Sequence, residues 1–126
     1  MKSFLCALVI AVVMVAGSFF YTRHIDKISD ELTNGNQLII ELVEKGDFSA
    51  AVGVVNQLSD YVADKKAVLA ATGNHEEIDK IEIYLAELEQ YLKDGVRTDA
   101  LARCSILDKL FEYMPKNYRL RTENIL

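Results

Sequence analysis

The chain has 126 residues, which suffices for one domain and one apolar segment. Its net charge is −5, and without Lys2 and Arg23, which flank the apolar segment, residues 24–126 carry 12 basic against 19 acidic residues, about −7. This balance argues against a nucleic-acid partner, which requires clustered lysine and arginine, and against a domain that lies on anionic lipid.

The first recognisable element is an apolar stretch from Phe4 to Tyr21, 18 residues long and without charge. As a helix it spans about 27 Å, close to the thickness of the hydrocarbon core of a bilayer. Backbone groups in lipid must pair internally, so the stretch must be helical. An aromatic and basic edge typical of the membrane interface follows it: Phe19, Phe20, Tyr21, Thr22, Arg23 and His24. We therefore predict a single-pass membrane helix.

A cleaved signal peptide is the competing interpretation of this stretch. Lys2 supplies a short basic region, and Val15-Ala16-Gly17 is a passable cleavage site. The apolar run continues past that site to Tyr21 and exceeds the usual signal length, which favours an uncleaved anchor. Basic residues are nearly balanced on the two sides. The three-residue N-terminal tail then predicts that residues 24–126 lie on the extracytoplasmic side of the cytoplasmic membrane.

The rest of the chain has helical periodicity. The first helix should continue directly from the membrane, with Thr33–Asn36 as a weak point and Gly35 in a seam position that an apolar residue would otherwise fill. Gly46 should end this helix and Asp47 should cap the second. The predicted inner face of the first helix consists of Ile25, Ile28, Leu32, Ile39 and Leu42, and that of the second of Phe48, Ala51, Val52, Val55, Leu58, Val62 and Leu69.

Two further helices complete the pattern. We expect Gly73 to end the second helix, Asn74 to cap the third, Gly95 to end it and Thr98 to cap the fourth. Pro115 should stop the fourth helix, because the residue before a proline avoids the helical region. The predicted inner faces are Ile78, Ile81, Leu85, Leu88 and Leu92 in the third helix, and Leu101, Cys104, Leu107, Leu110, Phe111 and Met114 in the fourth.

These elements predict an all-α protein, in which an N-terminal transmembrane helix precedes an up-and-down antiparallel bundle of three to four helices. The predicted divisions are an anchor at 1–23, a bundle at 24–115 and a tail at 116–126. The tail has apolar residues that would allow it to dock on the bundle, but we expect it to fray: Tyr118, Leu120, Ile125 and Leu126.

Candidate chemistry is sparse. His75 and Asp79 share a helix face and Glu82 lies one turn further on, a set of residue types that can bind a metal. A metal site needs three converging ligands, and the other histidine, His24, lies beside the membrane. Acidic residues also suit the first turn of a helix. We therefore favour a solvated helix start, and expect no metal and no cofactor.

Other side chains receive structural interpretations. The acidic run on the third helix should form its solvent face: Glu76, Glu77, Asp79, Glu82, Glu87 and Glu89. The tyrosines should lie at the core edge, with a partner-binding stripe as the alternative: Tyr61, Tyr84, Tyr91, Tyr113 and Tyr118. Cys104 should be a small core residue, separated from Cys6. No phosphate-binding loop, zinc spacing or nucleophile arrangement is present, so we expect no catalytic residues and no enzyme.

Two helix openings carry a resemblance: Gly46-Asp47-Phe48-Ser49-Ala50-Ala51 and Asn74-His75-Glu76-Glu77-Ile78. Following a short N-terminus and one membrane helix, they make the chain resemble, over nearly its full length, the small bacterial proteins grouped as domain of unknown function 4363. The resemblance implies the fold and the location, and no activity.

Two functions remain open. The first is a membrane-tethered module that binds another protein or a second copy of itself. The second is a sensor-like bundle that holds a small ligand or a metal between its helices. A polar group on a buried seam would favour the second, because a buried polar group needs a partner. The seams predicted here contain almost none, which favours the first.

Overall fold

A computed structural model describes the backbone of residues 2–70 and 75–125, with their side chains except at Ser18 and 117–125. Within these ranges the protein is all-α, as predicted, and contains α1 (Lys2–Glu44), α2 (Phe48–Ala70), α3 (His75–Lys93) and α4 (Arg97–Ile125). The predicted helix end at Gly73 and cap at Asn74 lie outside the described residues, as does any docking of the tail side chains.

Helix α1 is one unbroken helix of 43 residues, about 64 Å long. It confirms that the apolar segment continues directly into the bundle, and it runs through Thr33–Asn36 without a break. Gly35 is where α1 and α2 approach closely, because a Cβ atom there would lie 2.5 Å from Leu58 Cδ2. Gly35 faces Leu58 on the inner side of α1, as its predicted seam position requires, and the neighbouring Asn36 is fully buried. The tight contact with α2 holds this stretch helical despite its weak local propensity.

Both described interhelical turns use a glycine with positive φ, at Gly46 (81°) and Gly95 (70°), as predicted. In each turn the residue after the glycine donates its N–H back into the finished helix, Asp47 to the Leu42 carbonyl at 2.9 Å and Val96 to the Tyr91 carbonyl at 2.9 Å. This is the Schellman arrangement, and it reverses the chain within three residues.

The two helix starts differ in their caps. Asp47 caps α2 as predicted, since its Oδ1 accepts a hydrogen bond from the Ala50 N–H at 3.2 Å. Thr98 does not cap α4. The Ala100 N–H bonds to the Val96 carbonyl at 3.1 Å, so α4 begins at Arg97. The Schellman turn already fixes Val96, and the helix starts immediately after it.

The core repeats between the two helical hairpins. Buried positions of α1 and α2 recur 49 positions later in α3 and α4, as in Leu32 and Ile81, Ile39 and Leu88, Val43 and Leu92, Ala51 and Ala100, Val55 and Cys104, Leu58 and Leu107, and Val62 and Phe111. All five predicted seam residues of α3 are buried. The hairpins therefore contribute matched apolar faces to one shared core.

Among the side chains that the structure describes, two buried polar ones interrupt this pattern, both on α1. The Ser29 hydroxyl donates to the Phe111 carbonyl at 2.6 Å, and Asn36 Nδ2 donates to the Cys104 carbonyl at 2.9 Å. Asn36 lies seven residues after Ser29, and Cys104 lies seven before Phe111. The two bonds therefore hold α1 and α4 antiparallel in a single register.

Helix α4 continues through Pro115 to Ile125, so the prediction that Pro115 ends it is wrong. Proline has no N–H, and it leaves the carbonyl four residues earlier without its helical donor. That carbonyl belongs to Phe111, and it is the group to which Ser29 donates. A side chain from α1 thus replaces the hydrogen bond that Pro115 removes from α4.

This arrangement predicts a coupling between Ser29 and Pro115. In the full chain in detergent micelles, Ser29→Ala should lower the free energy of unfolding by about 1–3 kcal/mol, because the Phe111 carbonyl stays buried without a donor. In a Pro115→Ala background the restored N–H supplies the donor, and the loss should shrink by about 1 kcal/mol or more. Urea unfolding of the four variants measures the cycle. Equal losses in the two backgrounds would contradict the account.

Candidate functional site

The first half of α1 is an exposed apolar surface. Every large hydrophobic side chain from Phe4 to Phe20 is between 51% and 74% exposed, and none of the apolar window is buried against the bundle. Soluble domains rarely expose so large a contiguous apolar patch. Among the described residues, α1 is the one helix long and apolar enough to cross a membrane.

The edge of this surface is defined by three aromatic residues with different roles. Phe19 and Phe20 are exposed, and the Arg23 guanidinium lies 5.0 Å from the centroid of the Phe19 ring. Tyr21 is half-buried and its hydroxyl donates to the Val68 carbonyl at 2.8 Å. Tyr21 therefore belongs to the bundle, where it ties α1 to the end of α2, whereas Phe19 and Phe20 belong to the apolar surface.

The predicted metal candidates do not form a common site. His75 and Asp79 are exposed on α3, and Glu82 is half-buried with an oxygen 2.8 Å from Lys66 Nζ of α2. Over the described ranges, no group of three histidine, cysteine or acidic residues is placed to hold a metal ion. Glu82 instead forms an interhelical ion pair.

The acidic run on α3 is only partly a solvent face. Glu76 and Asp79 are exposed, but Glu82 pairs with α2 and Glu87 pairs with Arg103 of α4. Glu89 pairs within α3 with Lys93 at 3.0 Å. Two of the acidic residues therefore orient α3 against its neighbours, a role that periodicity alone does not indicate.

The tyrosines lie at the core edge, as predicted, at Tyr61, Tyr84 and Tyr91. The Arg103 guanidinium lies 5.7 Å from the ring centroid of Tyr84 and 5.6 Å from that of Tyr91, while it also pairs with Glu87. Arg103 thereby occupies the stripe between the two rings, and these cation–π contacts join α3 to α4. Sequence reasoning missed Arg103, because it lies beside the apolar seam and not on it.

Tyr61 and Tyr113 have other neighbours. Burial raises the pKa of Tyr61, and a hydrogen bond with Glu31 of α1 raises it further. The predicted place of Tyr113 at the core edge is wrong, because its side chain is 47% exposed, with Lys116 Nζ 5.4 Å from its ring centroid. The Tyr118 side chain lies outside the described set.

Comparison with known families accounts for most of the chain. The family model described as "Domain of unknown function (DUF4363)" matches residues 19–125. The chain belongs to this family. The match covers all of α2 and α3, α4 to its last described residue, and the bundle half of α1, and it begins at the exposed aromatic edge of the apolar segment. Neither the curated proteins nor the solved structures gave a match.

The two cysteines of this DUF4363 protein are both free, Cys6 exposed and Cys104 buried. Cys104 is fully buried, as predicted, and burial together with the nearby Asp108 raises the pKa of its thiol to about 12. A thiol that stays protonated and inaccessible does not act as a nucleophile. Cys104 is thus a packing residue on the α4 seam.

The Cys104 environment predicts how stability depends on alkaline pH. The folded protein keeps this proton up to about pH 12, whereas the unfolded chain releases it near the ordinary pKa of 9.0. The free energy of unfolding should therefore fall as the pH rises from about 9 towards about 12. In Cys104→Ala this fall should be less steep, by the slope that corresponds to one bound proton. Urea unfolding at several pH values measures this. Identical slopes in both proteins, or rapid thiol labelling of folded Cys104 at pH 8, would contradict it.

Proposed function

We propose that the protein is a membrane-tethered helical module, whose bundle is held beside the bilayer to bind another protein or a second copy of itself. The observation that carries this proposal is the exposed apolar half of α1, which continues without a break into the bundle core. A separate anchor on a flexible linker would leave the bundle free to tumble. A continuous helix instead fixes its height above the bilayer.

The proposal places the bundle on the extracytoplasmic side of the cytoplasmic membrane. Its support is the order of the two parts, since a long polar domain that follows a signal-like apolar segment is exported. In this arrangement α1 enters the bundle as its first helix, and the turn at Gly46, just after the end of α1, lies far from the membrane.

An interaction role, without catalysis, agrees with how the bundle is filled. The seams of all four helices pack into one apolar core, so recognition would use the outer surface. Leu38 on α1 and Ile83 on α3 are exposed apolar side chains outside the membrane segment, 44% and 55% exposed. Such residues supply the apolar anchors of protein interfaces.

The sensor alternative draws on Asn36. Its Oδ1 is buried and has no hydrogen-bond partner among the described residues, while its Nδ2 donates to α4. An orphaned acceptor is what a small ligand with a donor would satisfy. We rank this function second, because the same side chain already serves the register of α1 against α4.

The tether predicts both retention and orientation. The intact chain should stay in the membrane pellet after an alkaline carbonate wash, because an inserted helix is not removed as a peripheral contact is. A Lys45→Cys variant, at the exposed turn after α1, should react with a membrane-impermeant maleimide in intact cells. The native cysteines should not react, because Cys104 is buried and Cys6 lies in the proposed membrane segment, so the labelling reports on Lys45→Cys.

A photo-cross-linking residue at Ile83 tests the interaction role in the same membranes. The control position is exposed Asp30 on α1, which in the described part of the chain does not contact α3. We expect a discrete adduct from position 83 and none from position 30. Release by carbonate would refute the tether, and labelling only after lysis would refute the orientation. Absence of any adduct from position 83 would refute the interaction.

A further inference from the structure

We propose that the membrane-facing end of the bundle binds the phosphate groups of anionic lipids through Arg23, Lys27 and Lys116. This inference rests on the proposed membrane tether, and adds a lipid-recognition surface to it. The three residues, called here the basic collar, are all exposed. They come from the first and last helices of the bundle, which lie side by side.

The height of Lys116 follows from the register of α1 against α4. The Ser29 hydroxyl bonds to the Phe111 carbonyl, so these residues lie at one level. Five residues towards the membrane lead to His24 on α1, and five residues further along α4 lead to Lys116. Because α4 continues through Pro115 instead of stopping there, Lys116 is held at this level by a regular helix.

The collar therefore lies at the depth of the lipid headgroups. Arg23 follows the apolar segment by two residues, about 3 Å, and Lys27 by six residues, about 9 Å. Lys116 lies level with His24, between them. The headgroup layer is about 5–7 Å thick on each side of the hydrocarbon core. Arginine and lysine side chains are long enough to reach phosphates from these positions.

Contacts with aromatic rings support a position at the membrane interface for two residues of the basic collar. Arg23 lies over the exposed Phe19 ring at 5.0 Å, and Lys116 lies over the Tyr113 ring at 5.4 Å. A cation above an exposed aromatic ring is the pairing found at membrane interfaces, where the ring meets the acyl boundary and the charge meets the headgroups. Among the described residues, no ion pair engages Arg23, Lys27 or Lys116.

The overall charge of the domain does not oppose this local attraction. The −7 of residues 24–126 argues against a bundle that lies flat on anionic lipid. Exposed Glu41, Glu44, Asp47, Asp94 and Asp99 lie at the two distant turns, where salt screens them from the membrane beyond about 10 Å. Exposed Asp30 and, at the start of α3, exposed Glu76 and Asp79 lie towards the membrane-facing end, because the Tyr21–Val68 hydrogen bond places the end of α2 there. The attraction of the collar is therefore local, and it starts from Arg23, which lies nearer the apolar segment along α1 than Asp30 does.

Native mass spectrometry of the full chain tests the collar. The protein is extracted in detergent with equal amounts of phosphatidylglycerol and phosphatidylcholine, and the retained lipids are counted. The intact protein should retain phosphatidylglycerol in preference. The triple variant Arg23→Gln, Lys27→Gln, Lys116→Gln should lose about fivefold of this preference for each charge removed. The matched control, Lys45→Gln, Lys80→Gln, Lys109→Gln, removes the same charge elsewhere and should keep it.

The outcomes separate the lipid surface from the tether. Equal retention of the two lipids by the intact protein, or a preference unchanged in the triple variant, would overturn the collar. If inorganic phosphate displaced phosphatidylglycerol, the collar would recognise free phosphate, and the proposal that it binds lipid headgroups would be refuted. All proteins should remain in the membrane pellet, because α1 holds them; their release would refute the tether itself. A preference that weakens in 0.5 M salt supports the collar independently of any variant.

Discussion

The structure depends on one hydrogen bond, from the Ser29 hydroxyl to the Phe111 carbonyl. Pro115 removes the helical donor of that carbonyl. Without a substitute donor the carbonyl would be buried and unpaired, and this cost would favour an end of α4 before Pro115. With Ser29 in place, α4 continues to Ile125. The bond also sets one residue of α1 beside one residue of α4, and Asn36 repeats the same register two turns further on. The position of Lys116 in the proposed basic collar follows from this register.

The second constraint is the continuity of α1. Its N-terminal half is exposed and apolar, and its bundle half is buried along one seam. Because a single helix contains both halves, the position of the apolar half determines the position of the bundle. Tyr21 reinforces the junction, since its hydroxyl ties α1 to the end of α2 at the last residue of the apolar segment. The bundle is therefore joined through one continuous helix to the apolar half of α1, which suits the proposed module that presents a surface at a fixed height.

The sequence predicted local features well and tertiary compensation poorly. The α3 seam, the glycine turns and the Asp47 cap follow from periodicity and backbone conformation, which neighbouring residues determine. Pro115 was misread because its compensating donor, Ser29, is 86 positions away in the chain. Asn36 was missed for a similar reason, since its partner is a backbone carbonyl on another helix. Arg103 joins Tyr84, Tyr91 and Glu87 across helices, and only the packed structure brings these residues together.

The continuity of α1 is best tested by a distance across Thr33–Asn36 in lipid. Spin labels on the native Cys6 and on Leu38→Cys report this distance by double electron–electron resonance, because buried Cys104 does not take up label in the folded protein. An unbroken helix places these positions about 48 Å apart, with a narrow distribution. A broad distribution, or a distance well below this value, would show a bend between membrane and bundle and would contradict the account.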